Sequence, residues 1–308
     1  MSENISQEPF SKGLFYAILC YMLWGTVLLY WHLLADVSSL LILANRILWS
    51  SVFLAGYCLL ANRKALWKVM KNKQNVYYMG IAGILITINW GVYIYAVNNQ
   101  FIVESSLGYY INPLVNVLLG VLFLKEKLNR LEKLAALFAF AGVTYFTISY
   151  GSFPIIAFIL AISMGIYGMV KKKANLPAIQ SLTLETLLVT PLAVIYLFYI
   201  TSNGELIISE LSSQSVILLI LGGIVTAVPL ILFAQAVKIL PYSTLGFIQY
   251  ISPTLQLFIG VFIFHEEFTS AHAICFLLIW IGLAFFTFNI IRNSSVKRKL
   301  IQKTGRNK

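Results

Sequence analysis

Apolar residues fill most of this chain in long continuous blocks, and polar residues are confined to short stretches between them. A helix needs about 20 mainly apolar residues to cross the hydrocarbon core of a bilayer. By that criterion the pattern predicts an all-α integral membrane protein with ten transmembrane helices. They cover residues 13–34, 38–60, 76–97, 102–124, 134–150, 153–170, 179–200, 216–237, 243–264 and 272–291. Strands of a β-barrel would alternate instead, so a barrel is excluded.

The composition excludes several classes of soluble protein. Of the 308 residues, 59% are hydrophobic and 11% are charged, whereas soluble domains have about 45 to 50% apolar and about 25% charged residues. The connections between the predicted helices are too short for an independent domain, which needs upward of about 50 residues. Soluble enzymes and nucleic-acid-binding proteins are therefore poor interpretations of the whole chain.

The net charge of +11 comes from basic residues in alternate connections, after the second, fourth and sixth predicted helices and in the C-terminal tail. Basic loops stay in the cytoplasm. We therefore expect a multi-pass protein of the cell membrane with both termini in the cytoplasm. The basic runs are interpreted as topology signals that also contact anionic lipids, in preference to a nucleic-acid partner.

The second half of the sequence repeats the first with an offset of 140 residues and no gap. Identical pairs include Gly25 with Gly165, Gly83 with Gly223, Tyr110 with Tyr250, Pro113 with Pro253 and Glu126 with Glu266. The repeat predicts two five-helix units, residues 13–150 and 153–291, between tails at 1–12 and 292–308. Because five is odd, the second unit is expected to be inverted in the membrane. Inverted repeats are typical of secondary transporters, which expose a central site to each side in turn.

The two aligned prolines, Pro113 and Pro253, lie inside the fourth and ninth predicted helices beside polar residues such as Asn112 and Gln249. A proline ring removes a backbone hydrogen bond, and matching interruptions in two halves point to a substrate site near the membrane midplane. The alternative is a pair of structural kinks that help the helices to pack.

Charged residues inside the predicted helices are the strongest candidates for function. Arg46 in the second helix costs at least about 2.5 to 3.5 kcal/mol near the bilayer centre, so we expect it to face the interior. Glu104 is its expected partner by depth. Glu185 in the seventh helix aligns with Asn45 in the repeat. The functional interpretation is substrate anchoring by Arg46 and proton or substrate coupling by a carboxylate; a buried structural pair or polar contact between helices is the alternative.

Aromatic residues crowd the same segments, and an amphipathic cage for a flat or cationic molecule is one interpretation. The candidates are Trp24, Trp49, Trp90, Tyr93, Tyr109, Tyr110 and Tyr250. Trp31 and Trp67, near helix ends, are assigned to interfacial belts instead. The sequence has no zinc-ligand spacing, no P-loop and no catalytic constellation, so neither an enzyme nor a metal site is predicted.

Several stretches together resemble the RarD branch of the EamA transporters, within the drug/metabolite transporter superfamily. They are ANRILWS at 44–50, NWGVYIYAVN at 89–98, SLGYYINPL at 106–114, TLETL at 183–187, TAVPL at 226–230 and QYISPT at 249–254. The resemblance implies a ten-helix, two-repeat permease of the inner membrane without a known cofactor or a defined substrate. Asn45 departs from the pattern, because many relatives carry a His there; if that His couples protons, this chain does so without it.

Together these patterns predict a carrier that moves a small organic metabolite or drug by rocking its two halves around a midplane site. Arg46 would hold an anionic or zwitterionic group, while Asn112, Gln249 and neighbouring aromatic residues would shape the pocket. A non-transporting scaffold or sensor, and a membrane-embedded enzyme, are the alternatives. The expected partners are a small-molecule solute, the bilayer and, as one option, a second copy of the chain.

Overall fold

The computed structural model describes residues 7–61, 63–98, 101–151, 153–203, 211–265 and 268–305, which contain helices and no strand. The helices are α1 (Gln7–His32), α2 (Ser39–Ala61), α3 (Arg63–Lys71), α4 (Lys73–Asn98), α5 (Ile102–Phe123), α6 (Arg130–Tyr150), α7 (Ile155–Ala174), α8 (Ala178–Ser202), α9 (Ser213–Ile239), α10 (Tyr242–Gln249), α11 (Ile251–Phe262) and α12 (Ser270–Gly305). Ten segments within them are long and apolar enough to cross a membrane, and they match the ten predicted spans in order.

Two elements differ from the expectation. The basic stretch after the second span is the short helix α3, which buries Leu66 and Val69 and leaves its basic residues exposed. The ninth span divides at Tyr250 into α10 and α11, just before Pro253. In contrast, α5 continues through Pro113 as one helix. The two prolines therefore do not interrupt their helices equivalently.

Local sequence explains the boundaries of α6. Asn129 forms a capping box with Glu132: the Asn129 side chain accepts from the Glu132 N–H at 3.1 Å, and the Glu132 carboxylate accepts from the Asn129 N–H at 2.8 Å. These bonds satisfy amide groups that lack partners in the first turn. The helix is capped at its C-terminus by Gly151, whose φ of +82° suits glycine because other residues are strained there.

The start of α10 is capped by a carboxylate from the other half of the chain. Glu126, in the loop after α5, accepts hydrogen bonds from the backbone N–H groups of Tyr242 (2.6 Å) and Ser243 (2.8 Å). It also accepts one from the Ser243 hydroxyl at 2.7 Å. A negative charge is favourable at this position because the amide groups of a helix N-terminus carry partial positive charge.

Eight of the ten spans form a closed ring in which each helix packs on the next. The order around the ring is α5, α7, α4, α8, α2, α9, α1 and then α11 with α10, which returns to α5. The remaining two spans, α6 and α12, pack mainly on each other. Helices from the first and second halves of the sequence alternate around this ring. Each half is therefore held between helices of the other.

Close contacts at glycines repeat with the 140-residue offset. A methyl group added at Gly83 would meet Val189, and one added at Gly223 would meet Trp49, whose position differs from 189 by 140. Two further reciprocal sets are Gly25 facing Leu255 with Gly165 facing Val115, and Gly142 facing Cys275 with Gly282 facing Ala135. The helix contacts are thus exchanged in pairs between the halves, as a two-fold relation requires.

Candidate functional site

A small cavity lies where α2 and α4 of the first half meet α8 and α9 of the second. Four pairs of its lining residues are separated by the 140-residue offset. They are Arg46 and Thr186, Ile86 and Thr226, Thr87 and Ala227, and Trp90 and Leu230. The cavity therefore lies on the seam across which the two halves exchange contacts.

The cavity is almost closed in this conformation. About 20 Å³ is open to the centre of a water-sized molecule, and a single water needs about 10 to 15 Å³ by that measure. An organic molecule would enter only if the surrounding helices separate.

Arg46 is held in the cavity wall by one hydroxyl and two indole rings. Its Nε donates a hydrogen bond to Thr226 Oγ1 at 2.9 Å. The guanidinium carbon lies 4.6 Å from the ring centroid of Trp31 and 4.5 Å from that of Trp90. Both distances are within the range of cation–π attraction, which is stronger away from water. The guanidinium thus lies over two indole rings and is fixed at Nε by Thr226.

The prediction that Arg46 faces the interior agrees with this placement, but its described contacts are not to a carboxylate. Among the side chains that the structure describes, no carboxylate forms a salt bridge with Arg46. The expected partner, Glu104, lies in α5, but its side chain falls outside the described residues. Tyr93 and Tyr109 are near enough to Arg46 to interact with it electrostatically, and their rings meet edge to face at 6.0 Å.

Glu185 lines the same cavity and is paired with Lys171. The Glu185 carboxylate lies 2.6 Å from Lys171 Nζ, and both side chains are almost fully buried. Lys171 also donates to the Ser181 hydroxyl at 2.6 Å. Lys171 belongs to the basic run after the sixth predicted helix, for which contact with anionic lipids was expected. Its ammonium instead turns inward, because the buried carboxylate supplies a counter-charge. The next residue, Lys172, also turns toward the protein, because its Nζ donates a hydrogen bond to the backbone carbonyl of Val237 at 3.1 Å.

The predicted amide residues lie away from the cavity. Asn112, Asn116 and Gln249 join α5 to α10: Asn116 Nδ2 donates to Gln249 Oε1 at 2.6 Å, and Gln249 Nε2 donates to Asn112 Oδ1. Asn112 Nδ2 donates to the Ala161 carbonyl at 2.7 Å. Since all three amides are buried and bonded to protein, they connect helices rather than line the cavity.

The other predicted residues have structural contacts. Tyr250 is buried and its hydroxyl donates at 3.3 Å to the carbonyl of Tyr110, its counterpart in the repeat. Trp49 packs against Gly223, and Asn45 donates to the carbonyl of Leu41, one turn earlier in α2. Pro113 and Pro253 are buried outside the cavity lining.

Sequence reasoning missed Trp31 and Thr226, and it assigned Trp31 to an interfacial belt. The structure corrects this assignment, because the indole covers the charge of Arg46. Trp31 aligns with Lys171 in the sequence repeat. Trp31 contacts Arg46, and Lys171 contacts Glu185, so both aligned positions contact a charged residue of the cavity. In the described part of the chain, no group of three or more His, Cys, Asp or Glu residues could bind a metal ion.

Comparison with known proteins agrees with this architecture. The profile of the EamA-like transporter family matches twice, at residues 11–148 and 152–288. An uncharacterized transporter of Bacillus subtilis, YojE, is 45% identical over 91% of this chain and 95% of its own length. Protein RarD of Escherichia coli is 37% identical over 91% of this chain and 95% of its own.

A solved crystal structure supports the same fold. It superimposes with a TM-score of 0.69 at 18% sequence identity, covering 91% of this chain and 98% of the other. At that identity the likeness concerns the fold alone. The family match and the relatives concern nearly the whole length of the chain.

Proposed function

Because the chain belongs to the EamA-like transporter family, we propose that it is a secondary transporter that moves a small organic metabolite or drug across the cytoplasmic membrane by alternating access. The observation that carries the proposal is the position of Arg46. A partly buried cation whose described contacts are not carboxylates lies in a cavity on the seam between two related halves. Ionisable groups in membrane helices are characteristic of transport pathways.

Inversion of the second half is part of the same proposal. It is supported by the odd number of spans in each half and by the reciprocal glycine contacts. With basic loops in the cytoplasm, Arg46 lies toward the outer face, and the Lys171–Glu185 pair lies toward the cytoplasm. Arg46 and the Lys171–Glu185 pair would then lie at the outer and inner ends of one pathway.

The moving bodies must each contain helices from both halves, because the halves alternate around the ring. The cavity is surrounded by α2, α4, α8 and α9. We propose that these helices separate at one end while closing at the other. Substrate binding would shift the balance between these two arrangements only through contacts that differ between them.

The basic face of α3 suits contact with the membrane surface. Arg63, Lys64, Lys68 and Lys71 line an open groove together with Trp67. Basic residues beside a membrane attract anionic lipids by about 1 kcal/mol each. Anionic headgroups are the proposed occupants of this groove.

Counterflow in liposomes tests the transport proposal. Vesicles containing purified protein are loaded with a metabolite extract of cells, and exchange across the membrane is followed by mass spectrometry. We expect protein-dependent exchange of at least one solute, its loss in Arg46→Ala, and its retention in Arg292→Ala, which removes an exposed arginine outside the cavity and outside the α3 groove. Folding of each variant is checked by its elution profile and thermal unfolding.

A non-transporting scaffold or sensor is the second candidate, favoured by the small volume of the cavity. Absence of exchange by folded wild-type protein would support that candidate and contradict transport. Exchange that continues unchanged in Arg46→Ala would remove Arg46 from the site.

A further inference from the structure

The charges around the cavity do not balance. Among the described lining residues, the charged side chains are Arg46 and Glu185. Glu185 already has a counter-charge, because Lys171 lies 2.6 Å from its carboxylate. Arg46 has no such partner among the described side chains. Among the described side chains, the cavity therefore presents one positive charge without a carboxylate partner.

The geometry around Arg46 leaves one edge of its guanidinium available. The guanidinium carbon lies over the rings of Trp31 and Trp90, and Nε is bonded to Thr226. In the part of the chain that the structure describes, its two terminal Nη groups have no hydrogen-bond partner. An arginine edge with two parallel N–H groups matches the two oxygens of a carboxylate.

The rest of the wall disfavours a strongly hydroxylated solute. The hydroxyls of Ser50, Thr87 and Thr186 donate to backbone carbonyls at 2.9, 2.7 and 3.1 Å. Most of the remaining lining is aliphatic, including Ile86 and Leu230. Polyols need many hydrogen-bond partners when they leave water, and this wall has few to offer.

From these observations we propose that the cavity binds a monocarboxylate with an apolar body, an inference that rests on the transport function proposed above. The carboxylate accepts two hydrogen bonds from the Nη edge of Arg46, and the apolar body contacts the aliphatic wall. A second carboxylate would find no further cation among the described lining residues. An ammonium group would find the Glu185 carboxylate already paired with Lys171.

Tryptophan fluorescence of the full-length protein in lipid nanodiscs provides the test, because Trp31 and Trp90 flank the binding edge. The probes are hexanoate, its uncharged amide hexanamide, the dicarboxylate adipate and the zwitterion aminocaproate, which share one carbon chain length. Benzoate and benzamide repeat the comparison with a flat body. We expect hexanoate or benzoate to change the emission with a dissociation constant at least about tenfold lower than that of the matched amide, adipate or aminocaproate.

Two variants assign the binding to Arg46. Arg46→Gln should weaken carboxylate binding by about tenfold or more, whereas Arg292→Gln, at an exposed position outside the cavity and outside the α3 groove, should leave it unchanged. Arg46→Lys keeps the charge without the paired donors, and its affinity for the carboxylate should lie between the affinities of wild type and Arg46→Gln. The preference among probes in wild-type protein tests the inference independently of whether a variant folds.

The possible failures are distinguishable. Equal binding of the amide or the zwitterion, or no binding of either carboxylate, would overturn the monocarboxylate class and leave liposome exchange as a separate test of transport. Carboxylate binding that survives Arg46→Gln would overturn the assigned position. Absence of exchange in liposomes would contradict transport even if a carboxylate binds.

Discussion

Arg46 and Glu185 are both charges inside membrane-spanning helices, but they are stabilised in different ways. Arg46 lies between two indole rings and bonds to Thr226, whereas Glu185 has a direct ion pair with Lys171. The sequence predicted that Arg46 would face the interior, because an unpaired charge in lipid is costly. For Glu185 it left a coupling role and a buried structural pair as alternatives. It did not predict Trp31 or Lys171 as partners. When a helix is apolar on nearly every side, hydrophobicity does not reveal its rotation toward a particular neighbour.

The buried pair predicts a non-additive effect on stability. Lys171→Met and Glu185→Leu should each lower the free energy of unfolding by about 3 to 5 kcal/mol, because each leaves one buried charge without its partner. The double variant removes both charges and should be more stable than either single variant. Thermal unfolding in one detergent is the measurement, with Lys173→Met as a control at a neighbouring exposed lysine. Additive losses would contradict a close pair between these groups.

The existence of the ten spans could be predicted because continuous apolar blocks of suitable length leave few alternatives. Their internal details could not. Pro113 and Pro253 occupy aligned positions, yet α5 is continuous and the ninth span divides at Tyr250. The helix α3 was also missed, since its nine residues carry too many charges to resemble a span. Such details depend on contacts between helices, which a single sequence does not specify.

Close approach of α2 and α9 at Gly223 predicts opposite outcomes for two similar substitutions. A methyl group at Gly223 would lie 2.6 Å from the backbone of Trp49, whereas one at Gly80 would meet nothing within 4 Å. Gly223→Ala should therefore destabilise the protein by about 1 to 3 kcal/mol through overpacking. Gly80→Ala should be neutral or stabilise it by up to about 1 kcal/mol, because alanine favours helix. Their thermal midpoints provide the comparison; an unchanged midpoint in Gly223→Ala would contradict the close contact.

At the scale of the whole molecule, the repeat in the sequence and the ring of helices carry different information. The 140-residue offset predicted two related units, and the reciprocal contacts of Gly83 and Gly223 agree with it. It did not predict that the units alternate around one ring. Two similar five-helix units can also pack as separate bundles, and only contacts between helices distinguish these arrangements. Because helices of the two units alternate around the ring, we propose movement between groups of helices that each contain members of both halves, in place of a rocking of the two halves.

Inversion of the two units predicts that aligned loop residues face opposite sides of the membrane. Ala35 and Asn175 are exposed and separated by 140 residues, one in the loop after α1 and the other in the loop after α7. The background carries alanine at Cys20, Cys58 and Cys275, which are buried and free. In intact cells, an impermeant thiol reagent should label Ala35→Cys but not Asn175→Cys, because basic loops keep the second site in the cytoplasm. Opening the membrane should expose both. Labelling of both sites from the same side would contradict inversion. Labelling of Asn175→Cys but not of Ala35→Cys in intact cells would agree with inversion and reverse the assigned orientation.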